Sequence, residues 1–225
     1  MNKISVIIPA FNASLYLAEA IESVLAQTMP ADEIIVVDDC SDDDSAGVAE
    51  KFPRVHVIRQ RNQGCAVARN TGIAASTGSW LAFLDADDIW LPAKLALQSD
   101  YLKLHSSCQA VFGMVENFFS PELDSEQRSQ LYCPPERMSG INAGTMLISR
   151  DNFFHVGEFN PSMRLSQFIE WFTRFSEAGM KHHVLPDLVM RRRVHVNNTT
   201  ALQREDVHKN YLKIARSRIL RSKNN

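Results

Sequence analysis

The chain has 225 residues, 45% of them apolar, and its 24 basic and 26 acidic side chains give a formal net charge of −2. Such a composition excludes a disordered chain, and the near balance of charge excludes a nucleic-acid binder held by bulk electrostatics. The cysteines, Cys40, Cys65, Cys108 and Cys133, lie far apart and form no Cys-x-x-Cys pair, which favours reduced thiols over a zinc knuckle or redox pair.

Met1-Asn2-Lys3 leads straight into Ile4 to Ile8, a β-branched run stopped by Pro9 that suits a buried parallel strand. The run is too short for a signal-peptide core, and no later segment reaches the length of a membrane span. The expectation is a cytoplasmic protein, at most peripheral at the inner membrane face. Leu15, Ala18, Ile21 and Leu25 then recur at helical spacing with Ser14 as N-cap. Strands are predicted at Glu33 to Val37, Val55 to Ile58 and Ser79 to Leu84, with helices at Ser41 to Lys51 and Ala66 to Ala75 between them. This alternation predicts an α/β fold, a mostly parallel central sheet flanked by helices, with ligands at the carboxyl ends of the strands. The second half is less regular. A helix from Pro92 to about His105 precedes a strand near Ala110 to Phe118, and the proline-bearing stretch over 119–139 reads as a loop. Asn142 to Ser149 is apolar, Phe168 to Ala178 reads as a helix ended by Gly179, Val184 to Val196 as extended chain, and Val207 to Leu220 as a basic helix.

Asp85-Ala86-Asp87-Asp88 sets three carboxylates at the end of a buried strand, where they repel one another unless a cation joins them. Carboxylate oxygens are hard ligands, so Mg²⁺ or Mn²⁺ is the matching guest, shared with phosphates. The plain alternative is a solvated acidic turn with Asp88 capping the next helix. Along a late extended segment, Arg191, Arg193 and His195 fall on one face by the two-residue period. That face suits a diphosphate, with a neutral imidazole as a further metal ligand; the alternative is a basic surface strand. Trp171 reads as a helix-packing residue, the alternative being a platform for an acceptor sugar, and His182-His183 as surface or strand.

The order of these elements is informative. Pro9-Ala10-Phe11-Asn12 after the first strand, Asp38-Asp39-Cys40-Ser41-Asp42 after the second, Asn62-Gln63-Gly64 with Ala68-Arg69-Asn70-Thr71-Gly72, and then Asp85-Ala86-Asp87-Asp88 form a series that resembles the family-2 glycosyltransferases of the GT-A fold. The resemblance covers about the first hundred residues. It implies transfer from a nucleotide-diphosphate sugar, a UDP-sugar, with inversion and a Mg²⁺ or Mn²⁺ ion, to a glycan, lipid-linked or other hydroxyl acceptor. It implies that Pro9 and Phe11 line the base pocket, Asp39 accepts from the uracil, Arg69 sits near the base and diphosphate, Asp85 contacts the ribose or the metal, and Asp87 ligates the metal. Arg191-Arg192-Arg193-Val194-His195 is similar to the family's late Arg-x-His element, which implies diphosphate contacts from Arg191 and Arg193 and a metal contact from His195. One departure is Cys40, where the family has glycine, a residue better suited to positive φ. Another concerns the base: the family's Glu-Asp pair aligns with Gln167-Phe168, leaving Glu170 as the acid in that turn. Glu170 is therefore either the catalytic base or a glutamate supporting the helix start.

The expected organisation is one GT-A domain over residues 1–200, with a nucleotide-sugar half at 1–106 and an acceptor half at 107–200, followed by a basic tail at 201–225. The tail's Lys209, Lys213, Arg216, Arg218 and Arg221 alternate with apolar residues and suit either a second subunit (a homodimer) or an anionic membrane surface. Two rival functions are a sugar nucleotidyltransferase, which would want a glycine-rich basic loop where Ala10-Phe11-Asn12 stands, and a nucleotide-sugar-binding module without turnover.

Overall fold

The computed structural model describes residues 3–134, 136–163 and 165–198, together with Ile214. The first half runs β1 (Ile4–Ala10), α1 (Leu17–Leu25), β2 (Glu33–Asp38), α2 (Ser45–Glu50), β3 (Val55–Arg59), α3 (Cys65–Ala75) and β4 (Trp80–Phe83). The second half runs β5 (Ile89–Trp90), α4 (Lys94–Leu104), β6 (Ala110–Phe119), α5 (Ser125–Gln130), β7 (Met138–Ser139), a 3-10 turn (Ala143–Thr145), β8 (Leu147–Ser149), α6 (Arg150–Val156), α7 (Gln167–Glu177) and β9 (His182–Val194). The basic helix expected over 207–220, and the tail that contains it, lie outside the described residues except for Ile214, which is buried.

The strands form one sheet in the order β3-β2-β1-β4-β8-β6-β9-β5, with β7 added to β6. From β3 to β4 it is parallel, as expected; Val6 pairs with Ile34 on one side and Ala82 on the other. Beyond β4 it becomes mixed, because β8 runs antiparallel to both β4 and β6. The sheet therefore continues from one half of the chain into the other.

Two-residue alternation along β1 sends Val6 and Ile8 to one face and Ile7 to the other. The first face packs Leu17, Ile21 and Val24 of α1 and Leu95 and Leu102 of α4. The second packs Ile73 of α3, Phe153 of α6, and Phe168, Trp171 and Phe175 of α7. Here α3 lies close to β1: a Cβ on Gly72 would sit 2.5 Å from Ile7 Cγ2. Trp171 is a packing residue, stacked on Phe153 at 5.3 Å between ring centres, with its indole N–H donating to the Gly157 carbonyl.

Local differences from the sequence expectations have visible causes. α1 begins at Leu17, and the Ser14 N–H donates to Asp43 Oδ2 while the Ser14 side chain caps nothing. α2 starts four residues late because 41–44 serve to lace two loops together. Within the expected loop at 119–139, Asp124 and Gln127 close a reciprocal capping box that starts α5.

Candidate active site

The carboxyl ends of β1, β2 and β4, the N-terminal turns of α3 and α7, and the end of β9 enclose a cavity of about 810 Å³. Pro9, Phe11, Asp39, Arg69, Asp85, Asp87 and His195 all line it. Residues separated by up to 186 positions in sequence thus meet on one surface, as the strand-end rule requires.

The β1 and β2 loops are held by each other. Asn12 Oδ1 accepts from the Asp42 N–H, while the Asn12 and Ala13 N–H groups donate to Ser41 Oγ and Ser45 Oγ. In this lacing Asn12 and Cys40 take left-handed backbones, φ 49° and 64°. Cys40 thus adopts the positive φ that glycine would take with less strain. Asp39, 3% exposed, accepts at Oδ1 from Gln60 Nε2 and the Gln63 N–H, and at Oδ2 from the Gly64 N–H. Gly64 caps α3 at φ 90°, a conformation that favours glycine. That cap aims α3 so that Cys65 and Arg69 face the cavity. Burial pushes the Cys65 thiol up to about 11, so the thiol is neutral at pH 7.

The acidic turn divides its labour. Asp85 pairs with the buried Arg69 guanidinium. Asp87 Oδ2 lies 3.0 Å from His195 Nε2 and 3.4 Å from Asn198 Nδ2. Asp88 is buried and accepts from the Arg193 N–H at 3.0 Å. Burial, followed by the charges of Asp87 and Asp85, pushes its carboxyl well above the usual carboxylate range. Asp88 is therefore the tie between this turn and β9, and Asp85 and Asp87 turn their carboxylates to the cavity.

Two of the expected positions fall elsewhere. Arg191 pairs with Glu116 and covers Phe118, and Arg193 is buried, donating to the Asp87 carbonyl and Ser120 Oγ and pairing with Glu19. Neither lines the cavity; Arg192, on the opposite phase of the strand, does. Within β9 the cavity meets the face of Met190 and Arg192, and His195 reaches it from beyond the strand end at Val194, where the two-residue period no longer applies. Glu170 is also corrected: its carboxylate is buried, bonded to Arg174 Nε at 3.0 and 3.2 Å, and absent from the cavity wall. The physical reason is the i, i+4 spacing, which places Arg174 beside it on the face that packs on α6; Arg174 also donates to the Val156 and Glu158 carbonyls. The α7 residues that do line the cavity are Ser166, Gln167, Phe168 and Ile169, at and just after the helix start. Sequence reasoning also missed Tyr16, whose ring lies 4.7 Å from the His195 ring, and Asn198; Asn-Asn after His195 was the available signal.

Asp87 and His195 fit a small divalent cation. Two donors about 2.1 Å from one ion and at right angles lie about 3.0 Å apart, matching their separation. Among the described residues no group of three or more His, Cys, Asp or Glu side chains gathers for a metal, so further ligands would be phosphate and water oxygens, as Mg²⁺ commonly takes.

Residues 5–172 match the sequence model of glycosyl transferase family 2. An uncharacterized glycosyltransferase of Rickettsia prowazekii is 30% identical over 217 residues, 88% of this chain and 65% of that protein. One from Nostoc sp. is 52% identical over 98 residues, 41% of this chain and 30% of that protein. The chain thus spans about a third to two thirds of the length of these relatives. Among solved structures, S. aureus TarS 1-349 in complex with UDP-GlcNAc superposes with a TM-score of 0.70 at 19% identity, covering 88% of this chain and 60% of that one. Among the described residues no helix is long and apolar enough to cross a membrane.

Proposed function

We propose, from the premise that this chain belongs to glycosyl transferase family 2 and has the GT-A fold, that it moves a sugar from a UDP-sugar to a hydroxyl acceptor. The observation that carries the reading is the convergence of Asp39, Arg69, Asp85, Asp87 and His195 on one cavity of about 810 Å³, a size that suits a nucleotide-sugar. The fold shared with a TarS structure holding UDP-GlcNAc supports it.

In this reading Pro9 and the half-exposed Phe11 ring wall the base. A carboxylate has about four lone-pair positions. Asp39 uses three on the chain itself, which fixes the carboxylate and leaves one at Oδ2 for a base N–H. Arg69 orients Asp85, whose exposed edge meets the ribose. Arg192 takes the diphosphate role first assigned to Arg191 and Arg193. Asp87 and His195 would hold Mg²⁺ or Mn²⁺, which when bound neutralises charge on the leaving diphosphate. In a single displacement the acceptor oxygen would bond to the anomeric carbon as its bond to the nucleoside diphosphate breaks, inverting that carbon, and the acceptor proton would pass to water in the cavity, since Glu170 does not reach it. The acceptor is a glycan, a lipid-linked glycan or another hydroxyl compound.

A second reading, a donor-binding module without turnover, is favoured by one observation, the burial of Glu170 against Arg174. Calorimetry with UDP, with and without Mn²⁺, followed by UDP release from UDP-sugars across an acceptor panel, tests both. Transfer requires Mn²⁺-dependent UDP binding and turnover with at least one acceptor. UDP binding with no turnover across the panel leaves the module, and no UDP binding overturns both.

A further inference from the structure

A chain of hydrogen bonds reaches Asp39 from α3. The Thr71 hydroxyl donates to Gln60 Oε1 at 2.7 Å, and Gln60 Nε2 donates to Asp39 Oδ1 at 2.7 Å. Gln60 follows β3 directly, and its N–H donates to the Asp38 carbonyl at 2.9 Å, which fixes its backbone beside the end of β2. Neither Gln60 nor Thr71 lines the cavity, whereas Asp39 does. The direction of the chain is settled by the carboxylate, which only accepts: the amide turns Nε2 to it and leaves Oε1 for the hydroxyl. Bonds in series polarise one another, so the hydroxyl strengthens the hold of the amide. With the Gln63 N–H, Gln60 fills the lone-pair positions of Oδ1, and the Gly64 N–H takes one at Oδ2. Donors at 2.7, 2.9 and 2.7 Å thus give a carboxylate that is 3% exposed one orientation and one vacant position. Two of these donors are backbone groups; Gln60 is the side chain among them. Thr71 stands two residues after Arg69, which pairs with Asp85, so α3 sets both acids.

We infer that Gln60 is a positioning residue for base selection: by locking Asp39, it makes the carboxylate accept from the N3–H of uracil and repel the N3 of cytosine. The inference rests on the donor reading, in which Asp39 faces the base. Uracil presents a donor at N3, and cytosine presents a lone pair at the same place. A carboxylate held in one orientation pairs with the first and repels the second, so selection comes from repulsion as well as attraction. With the Gln60 position on Oδ1 vacant, the carboxylate can turn. It then loses part of its bond to uracil, escapes the cytosine N3 and can reach the cytosine 4-amino group instead. Gln60 therefore acts on the difference between the two bases, which a residue that only supports the loop would not.

The experiment is calorimetry of the full chain with UDP and, separately, with CDP, each in the presence of Mn²⁺. The variants are Gln60→Met, which keeps the length of the side chain and loses the amide, and Thr71→Val, which keeps Gln60 and removes the hydroxyl behind it. The wild type is expected to prefer UDP over CDP by at least about tenfold. Gln60→Met should lower that ratio at least about fivefold, a change of about 1 kcal/mol, with UDP weaker and CDP unchanged or tighter. Thr71→Val should move the ratio the same way by at least about twofold. Equal weakening of both nucleotides in Gln60→Met, or an unchanged ratio, would make Gln60 a scaffold residue and overturn the inference. If Gln60→Met does not fold, as read by circular dichroism, Thr71→Val decides, and an unchanged ratio there overturns it. A wild type that binds UDP and CDP equally overturns this inference alone. A wild type that does not bind UDP overturns the donor reading and this inference with it.

Discussion

Along the donor wall every carboxylate has a partner: Asp39 three hydrogen-bond donors, Asp85 the Arg69 guanidinium, Asp87 the His195 ring and Asp88 the Arg193 N–H. Across the cavity, the α7 wall presents Ser166 and Gln167, while its nearest acid, Glu170, points into the packing against α6. Two kinds of construction produce this difference. Strand ends gather acids whose repulsion is relieved by fixed donors, which would preorganise the nucleotide and cation site proposed above. A helix packed on its neighbour pairs its acid with an arginine four residues on, in the face turned from the cavity. The donor wall thus turns acids to the cavity, and α7 turns its acid away.

The largest effect should come from removing the proposed cation ligand of the donor wall. Asp87→Ala is expected to lower turnover by about 10²–10³-fold, the scale of losing one electrostatic contact to developing charge. It should also abolish the dependence of UDP binding on Mn²⁺, measured by calorimetry at fixed pH. A variant that keeps both turnover and Mn²⁺ dependence would move the cation site away from Asp87 and break the division between the walls.

Glu170→Gln sharpens the other side. Breaking a buried charge pair while conserving shape should cost about 2 kcal/mol of stability, read from urea unfolding. Because Glu170 does not reach the cavity, kcat should stay within about threefold, a barrier change of less than 1 kcal/mol. A thousandfold fall in kcat with unchanged stability would restore Glu170 as the base.

The same contrast governs what the sequence makes legible. The acids of the donor wall come from short segments directly after apolar strands, so the strand-end rule brought Asp39, Asp85 and Asp87 to one rim, while their roles and that of Arg69, inside α3, came from the family resemblance. The α7 wall depends on which side of a helix meets the cavity. One acid four residues before an arginine reads equally as a base or as an i, i+4 pair, and only packing against α6 decides. The error over Arg191 and Arg193 has a related origin: alternation fixes which residues share a face within a strand, but neither which face meets the cavity nor that β9 ends at Val194, before His195. The antiparallel insertion of β8 could not be read either, because three residues, Leu147–Ser149, carry no directional signal.

Outside the cavity lining is a buried lysine that neither the nucleotide nor the acceptor reading uses. Lys94 is fully buried, donates to Gln98 Oε1 at 2.8 Å and sits 4.0 Å from the Trp90 ring centre. Gln98 in turn donates to the Val111 and Thr145 carbonyls, joining α4 to the acceptor half. Burial holds the Lys94 amine well below the usual lysine value of 10.5. In the window between that lowered value and 10.5 the unfolded chain binds a proton that the folded chain does not, so stability rises with pH there. The slope is at most about 1.4 kcal/mol per pH unit. Lys94→Met should remove this contribution, seen as a flatter dependence of unfolding free energy between neutral and alkaline pH. Parallel curves for the two proteins would mean that Lys94 keeps its proton in the fold.

The smallest effect concerns the turn that carries Asp39. Cys40 is exposed and holds φ 64°. A left-handed backbone costs an L-residue with a Cβ about 1–2 kcal/mol relative to glycine. Glycine in turn loses about 0.5–1 kcal/mol more chain entropy on folding. Cys40→Gly should therefore stabilise the protein by about 0.5–1 kcal/mol, measured by urea unfolding under reducing conditions. UDP affinity should be unchanged, because the Asp39 carboxylate is held by Gln60, Gln63 and Gly64 and by nothing from residue 40. A gain in affinity together with stability would show instead that strain at Cys40 reaches the base pocket. The donor wall would then be less firmly fixed than its bonding indicates, and the contrast with α7 correspondingly smaller.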